Sequence, residues 1–236
     1  MLFWLGKYVL LGPLLRLLFR PIVSGREHIP DSGPAILASN HLSFSDSVFL
    51  PLMVRRRIVF LAKAEYFKRP GLIGWAWRHF FTAMGSVPID RSSGSAARSA
   101  LDTGVRVLGE GSVLGIYPEG TRSPDGRLYR GKTGVARLAL TTGVPIIPVA
   151  MLNTHLVQPI GRRLPRIMRV RIRIGKPIDV SEHNEMAGDR HVEREITDQI
   201  MEQLRKLSGQ EYVDIYASKV KSQLQKSKQE TATPGE

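Results

Sequence analysis

The stretch ASNHLSFSD, residues 38–46, sets His41 and Asp46 five positions apart, where an apolar run gives way to polar residues. An imidazole and a carboxylate are the parts of a general base. The carboxylate fixes the ring's tautomer and orientation, and it stabilises the imidazolium formed when the second nitrogen takes a proton. The ordinary histidine pKa, about 6.5, makes this residue type available as a neutral base near pH 7. Five positions along one helix would turn the two side chains about 140° apart, off any shared face. The residues offer a different geometry: AILAS reads as a strand, Asn40-His41 ends it, and Ser43 or Ser45 caps the helix that follows. His41 then occupies the strand's C-terminal tip, where open α/β sheets hold ligands, and Asp46 in the first helical turn reaches back to it. A structural, hydrogen-bonded His–Asp pair fits the same spacing equally well.

Two further strand ends carry reactive residue types. YPEGTRS (117–123) follows the apolar run SVLGI. There Gly120 permits close backbone approach or a positive φ, and Arg122 can bond phosphate in bidentate fashion. Glu119 can orient an arginine, although a carboxylate does not itself welcome a phosphate. PIDR supplies Asp90 and Arg91. Together the three strand ends describe a cleft with a base and an anion clamp.

Composition narrows the chemistry. The chain has no cysteine, which removes disulfide frameworks, thiolate zinc sites, iron–sulfur clusters and cysteine nucleophiles. Lys and Arg number 34 against 21 Asp and Glu, and the formal charge of +13 implies an anionic partner: nucleic acid, a phospholipid surface or phosphorylated small substrates. His28, His79, His155, His183 and His191 stand in no comparable motif and read as structural or exposed, and no clustered ligands suggest a metal site. GRLYRGKT (126–133) matches the G-x-x-x-x-G-K-[ST] pattern of a nucleotide-binding P-loop. Such a loop leaves a buried strand directly and is rich in glycine; here TRSPD intervenes and the interior is the bulky RLYR. Lys132 remains a cation at a helix N-terminus where phosphate could dock. RRR at 55–57 reads as a solvated turn, or as a contact to anionic lipid or to the phosphates of coenzyme A or acyl carrier protein.

These groups need a scaffold, and 236 residues accommodate one α/β-sized domain with appendages. Short apolar, β-rich runs alternate with longer helix-like segments, which predicts an α/β fold with a central, largely parallel sheet flanked by helices. Strands are expected at 22–26, 34–39, 57–62, 84–89, 112–117, 144–151 and 167–175, and helices at 45–54, 71–82, 95–109, 132–142, 190–207 and 210–226. Several strands lack alternation, as befits burial on both faces. In RVRIRIG, Val170, Ile172 and Ile174 alternate with Arg169, Arg171 and Arg173, which predicts a sheet edge with an outward arginine row. Trp75 and Trp77 read as core, with interfacial anchoring or the wall of an acyl channel as the other uses of two indoles.

The N-terminal MLFWLGKYVLLGPLLRLLFRPI is the most apolar stretch, but Lys7, Pro13, Arg16 and Arg20 interrupt it before the roughly 20 residues a membrane span needs. No small-residue cleavage site marks it as a signal peptide. Residues 1–20 are therefore expected to form interfacial membrane-associated helices, broken near Gly12-Pro13, with Arg16 and Arg20 reaching for head groups. Residues 21–226 are expected to form the α/β domain, and 227–236, without apolar periodicity, a disordered tail.

In order along the chain, His41 and Asp46 of NHLSFSD, Gly85 to Arg91 of GSVPIDR, YPEGTR and the strand VPIIPVA resemble the four blocks of the glycerolipid acyltransferases, in particular the 1-acylglycerol-3-phosphate (lysophosphatidic acid) acyltransferases. The likeness spans about residues 22–180. It implies His41 as general base and Asp46 as its orienting partner. It implies further that Arg91, Glu119 and Gly120, with Thr121 and Arg122 of the same block, serve the acceptor's glycerol phosphate, and that Lys132 is similar to a phosphate contact of relatives. The implied enzyme is a 1-acylglycerol-3-phosphate O-acyltransferase of phospholipid biosynthesis. It would move a fatty acyl group from a thioester donor, acyl-CoA or acyl carrier protein, to the free hydroxyl of the acceptor, giving phosphatidate. The implied machinery uses no cofactor, metal or nucleic acid. Its partners are an anionic membrane surface, the lysophospholipid and the donor, and its place is monotopic on the cytoplasmic face of a membrane. The motifs leave open another acceptor, glycerol 3-phosphate or a different lysolipid, and a basic nucleotide- or nucleic-acid-binding protein built on GRLYRGKT.

Overall fold

Apolar runs that do not alternate belong inside a sheet, and this chain puts them there. The computed structural model describes residues 2–68, 70–89, 96–162 and 164–232. Its strands are β1 (Ile22–Ser24), β2 (Ala35–Ser39), β3 (Ile58–Lys63), β4 (Ser86–Ile89), β5 (Val113–Ile116), β6 (Leu128–Tyr129), β7 (Ile146–Leu152), β8 (Arg171–Ile174) and β9 (Tyr212–Val213). Its α-helices are α1 (Leu2–Leu5), α2 (Leu11–Phe19), α3 (Asp46–Met53), α4 (Glu65–Lys68), α5 (Gly71–Ala83), α6 (Ala96–Gly109), α7 (Gly134–Thr142), α8 (Thr154–Val157), α9 (Arg190–Ser208) and α10 (Ala217–Ala232).

Seven strands make one sheet in the order β1-β8-β7-β2-β5-β3-β4, and β6 pairs β9 in a separate two-strand sheet. Strands β7, β2, β5, β3 and β4 run parallel; β8 is antiparallel to β7, and β1 is parallel to β8. This is the expected α/β class, with each of the seven expected strands present. Strand β2 shows why alternation is missing. Leu37 belongs to the core cluster of Leu15, Phe19, Phe49 and Leu50, whereas Ile36 and Ala38 belong to the cluster of Val107, Leu138 and Ile200 on the other face. All three strand residues are fully buried. Helices cover both sides, so every position of the strand is apolar. Because β7, β2 and β5 are parallel neighbours, their C-terminal tips share one edge of the sheet.

Three features depart from the sequence expectations. The arginine strand β8 does alternate in burial, but it is not the edge: β1 pairs along its outer side, Ile22 with Arg171 and Val23 with Ile172. The N-terminal segment is not broken at Gly12-Pro13. Helix α1 passes through a π-helical turn, Gly6–Leu10, into α2, and Pro13 lies inside α2. Proline cannot accept a regular preceding turn without a clash and a lost bond; the wider turn absorbs this. It also brings the Lys7 carbonyl so near Gly12 that a Cβ there would sit 1.8 Å from the oxygen. Finally, α10 begins later than expected and continues to Ala232, into the stretch expected to be disordered, since no glycine or proline interrupts its helix-forming Lys, Gln and Ala residues before Pro234.

The N-terminal helices are pinned to the domain by a buried cation. Lys7 Nζ donates to the carbonyls of Val54 and Arg55 in the turn after α3. Burial, with the charges of Arg16 and Arg26 adding to it, pushes this ammonium down to about 8. In the RRR turn, Arg56 is spent on the carbonyls of Pro30, Gly33 and Gly111. That residue is a structural clamp and not a solvated charge.

Candidate active site

Strand β2 ends at Ser39 and α3 begins at Asp46, so the polar residues between them make the turn that the spacing predicts. His41 Nδ1 lies 2.9 Å from Asp46 Oδ2. An ionised carboxylate only accepts, so Nδ1 carries the hydrogen and Nε2 keeps its lone pair. The same Oδ2 accepts the N–H groups of Leu42 at 2.7 Å and Ser43 at 2.8 Å. Asp46 is fully buried, and its Oδ1 has no hydrogen-bond partner among the described residues. No serine side chain caps α3: Ser45 holds the N-cap position, but its hydroxyl donates to Ser43 Oγ. The loop is organised instead by one carboxylate oxygen that gathers three donors.

The ring itself is also held by stacking. Tyr117 stacks on one face, with centroids 3.8 Å apart and planes 10° off parallel. Its hydroxyl bonds Ser47 Oγ at 2.8 Å. Burial first, then the Asp46 charge, holds this phenol well above its usual range, so it stays neutral. The His41 side chain retains 16% exposure, against none for Asp46.

Glu119, just past the tip of β5, is fully buried. One oxygen accepts the His41 N–H and the other the Tyr129 N–H, each at 3.0 Å. Burial pushes its carboxyl up to about 7, against the opposing pull of those two bonds. Both oxygens thus act on backbone, and Glu119 sets the position of His41 from below. Asn40 does similar work toward β7: its amide donates to Met151 O at 3.0 Å and accepts from Met151 N at 2.7 Å.

The rest of the YPEGTR block forms a cationic rim. Gly120 has φ +72°, and a Cβ there would meet the Lys132 side chain at 3.1 Å. The left-handed backbone therefore favours glycine here, with the flexible Lys132 side chain laid against it. Lys132 is exposed, just ahead of the α7 N-cap Thr133, and its N–H donates to Pro118 O at 2.9 Å. Thr121 Oγ1 accepts from Lys221 Nζ at 2.7 Å. Arg122 is half-buried and within electrostatic reach of Lys221. Asp90 and Arg91 lie outside the described residues.

GRLYRGKT is not a phosphate loop. Leu128 and Tyr129 in its middle are strand β6, fully buried, and the Tyr129 N–H is given to Glu119. A phosphate cradle needs consecutive loop N–H groups turned to the ligand. Phe44, in the same β2–α3 turn as His41, lines an open apolar cavity of about 340 Å³ with Ile73, Ala76, Trp77 and Phe80. Trp77 is half-buried as part of that wall, whereas Trp75 is 57% exposed, so core packing does not describe the two indoles.

Two residues that the motifs passed over are brought in by the fold. His155 follows the tip of β7; its Nδ1 is buried with no hydrogen-bond partner among the described residues, and burial holds its pKa down while the Asp46 charge pulls the other way. Lys221 arrives from α10. Only strand order could have revealed the first, and no local signal marks the second.

Residues 20–152, more than half of the chain, match the family model described as Acyltransferase. The chain belongs to the acyltransferase family. The matched segment holds His41, Asp46, Glu119 to Arg122 and Lys132; His155 and Lys221 fall after it. Among similar proteins, a chloroplastic 1-acyl-sn-glycerol-3-phosphate acyltransferase of Arabidopsis thaliana is 35% identical over 158 residues, covering 66% of this chain and 43% of the relative. The 1-acyl-sn-glycerol-3-phosphate acyltransferase beta of Homo sapiens is 36% identical over 124 residues, 51% of this chain and 42% of the relative. The chain spans about half the length of the curated relatives it matches. Among solved structures, the 1-acyl-sn-glycerophosphate (LPA) acyltransferase PlsC of Thermotoga maritima superposes with a TM-score of 0.61 at 25% identity, covering 86% of this chain and 82% of that one.

Proposed function

We propose that this acyltransferase moves a fatty acyl group from a thioester donor, acyl-CoA or acyl carrier protein, to the free hydroxyl of 1-acylglycerol 3-phosphate, giving phosphatidate. The observation that carries the reading is the 2.9 Å bond from His41 Nδ1 to Asp46 Oδ2, which leaves Nε2 as the base beside a rim of cations. As the acceptor oxygen attacks the thioester carbonyl, Nε2 takes its proton; as the tetrahedral intermediate collapses, the C–S bond breaks and the thiolate takes that proton back from the imidazolium. No acyl-enzyme forms, and no cofactor enters the balance. Base assistance contributes roughly 10²–10⁴-fold, and positioning of hydroxyl against thioester supplies much of the remainder.

The acceptor assignment draws on the names of the relatives and on the chemistry of the rim. Gly120 lets Lys132 approach, Arg122 adds a guanidinium, and Arg91 is proposed to add another; phosphate suits all three. The apolar cavity beside Phe44 is proposed to take an acyl chain. The N-terminal helices support a monotopic attachment to an anionic membrane surface, on the cytoplasmic face that meets the soluble donor. They turn Phe3, Lys7, Leu15 and Phe19 inward and leave Trp4, Tyr8, Val9, Leu10, Leu14 and Leu17 exposed. Among the described residues no helix is long and apolar enough to cross a membrane. The test is thiol release by purified protein in detergent micelles, with each donor offered against lysophosphatidate, glycerol 3-phosphate and another lysolipid. Release that depends on lysophosphatidate, with phosphatidate as product, is expected; absence of acceptor-dependent release with both donors rejects the reading.

A further inference from the structure

The C-terminal helix delivers a cation to the rim that lies far outside the family segment. The delivery is built in stages. After α9 the chain returns to the active-site side through β9, whose Tyr212 and Val213 register with Leu128 and Tyr129 of β6. The Arg130 N–H closes this clamp on the carbonyls of Val213 and Ile215. The clamp fixes the start of α10 against the same segment whose Tyr129 N–H is held by Glu119. Ala217, fully buried, seats the first turn. One turn on, on the same helix face, Lys221 reaches the YPEGTR block and donates from Nζ to Thr121 Oγ1 at 2.7 Å.

The charges around Lys221 lack balance. Burial, then the neighbouring Arg122 guanidinium, holds its ammonium below the ordinary lysine range, with Glu119 opposing. Glu119 is the adjacent carboxylate, yet both its oxygens are committed to backbone N–H groups. Lys132, in the segment between β6 and α7, lays its side chain against Gly120. Three cations converging on one glycine-bearing turn repel one another, and a bound polyanion removes that cost. We propose that Lys221 is a phosphate-binding residue of the acceptor site, so that the C-terminal helix completes a pocket begun by Arg122 and Lys132. The inference rests on the phosphorylated acceptor proposed above. Lysine acts here as a point charge that can swing from the Thr121 hydroxyl to a phosphate oxygen without a change in the backbone.

The experiment compares the full-length wild-type chain with Lys221→Met and Lys221→Arg, on lysophosphatidate and on a 1-acylglycerol that lacks the phosphate. Lys221→Met should raise the KM for lysophosphatidate about tenfold or more, with the donor KM and the saturating rate within about threefold of wild type. Lys221→Arg should recover most of the loss, because it restores the charge. Turnover of the phosphate-free acceptor should be the same in wild type and Lys221→Met; if that turnover is undetectable, the KM comparison and the arginine rescue decide. An unchanged lysophosphatidate KM in Lys221→Met, an equal loss on both acceptors, or an equal loss in the arginine variant overturns the assignment and gives Lys221 only the task of holding Thr121. Wild-type protein that fails to use lysophosphatidate or any other phosphorylated acceptor overturns the acceptor reading itself, and the assignment of Lys221 falls with it.

Discussion

Replacing Asp46 by asparagine separates the charge of the carboxylate from its geometry, because one oxygen does all the hydrogen bonding. Oδ2 takes His41 Nδ1–H, Leu42 N–H and Ser43 N–H, while nothing among the described residues bonds Oδ1. An asparagine carbonyl can stand where Oδ2 stands and accept the same three donors, with its NH₂ turned to the Oδ1 side. The loop and the ring tautomer are then kept. Weakening two charge-assisted backbone bonds to neutral ones costs about 1–2 kcal/mol of stability. What is lost is the anion facing the imidazolium. At 2.9 Å and an effective dielectric constant of about 20, the attraction between unit charges is about 6 kcal/mol. The amide dipole keeps part of that, so a loss of roughly 3–6 kcal/mol predicts a fall in turnover of about 10²–10⁴-fold. Asp46→Ala is the poorer test: it leaves two backbone N–H groups without their acceptor, at about 1–3 kcal/mol each, and mixes unfolding with catalysis. Thiol release can be followed with a thiol-reactive chromogen without background, since the chain has no cysteine, and thermal melting of each variant reports the fold. Asp46→Asn protein that melts like wild type and turns over within about threefold of it would refute the reasoning.

Other consequences of the structure are open to direct measurement. The Glu119 carboxyl is pushed up to about 7 in the folded chain, whereas an unfolded glutamate titrates near 4.3. Between those values the folded state holds a proton that the unfolded state lacks, so stability declines as pH rises through this window, by about 4 kcal/mol in all, and is level above it. The melting temperature of wild type should therefore fall between pH 5 and 8 relative to that of Glu119→Gln; parallel curves contradict the burial argument. Gly12→Ala would place a methyl 1.8 Å from the Lys7 carbonyl oxygen and force the π turn to rewind, at about 1–3 kcal/mol. A drop in melting temperature of at least about 3 °C is expected, and an unchanged value means that the turn is not held by that glycine.

The sequence by itself determined the local parts of this protein. Unalternating apolar runs marked β2, β5 and β7, because strands buried on both faces have no polar side to show. The break after AILAS put His41 on a strand tip and Asp46 at a helix start, since no single helix could bring residues five apart together. Gly120 was legible as a glycine requirement, and the order of four short blocks pointed to the family. Tertiary structure decided which of these parts meet. Only the order β7-β2-β5 brings the ends of three strands to one edge and sets His155 within reach of Asp46. Only the addition of β1 takes β8 away from the sheet edge. The turn of Glu119 into the interior, and the arrival of Lys221 from 100 positions further along, have no periodic signature. Such contacts follow from how layers pack over the whole chain, and periodicity reports only what lies within a few residues of itself.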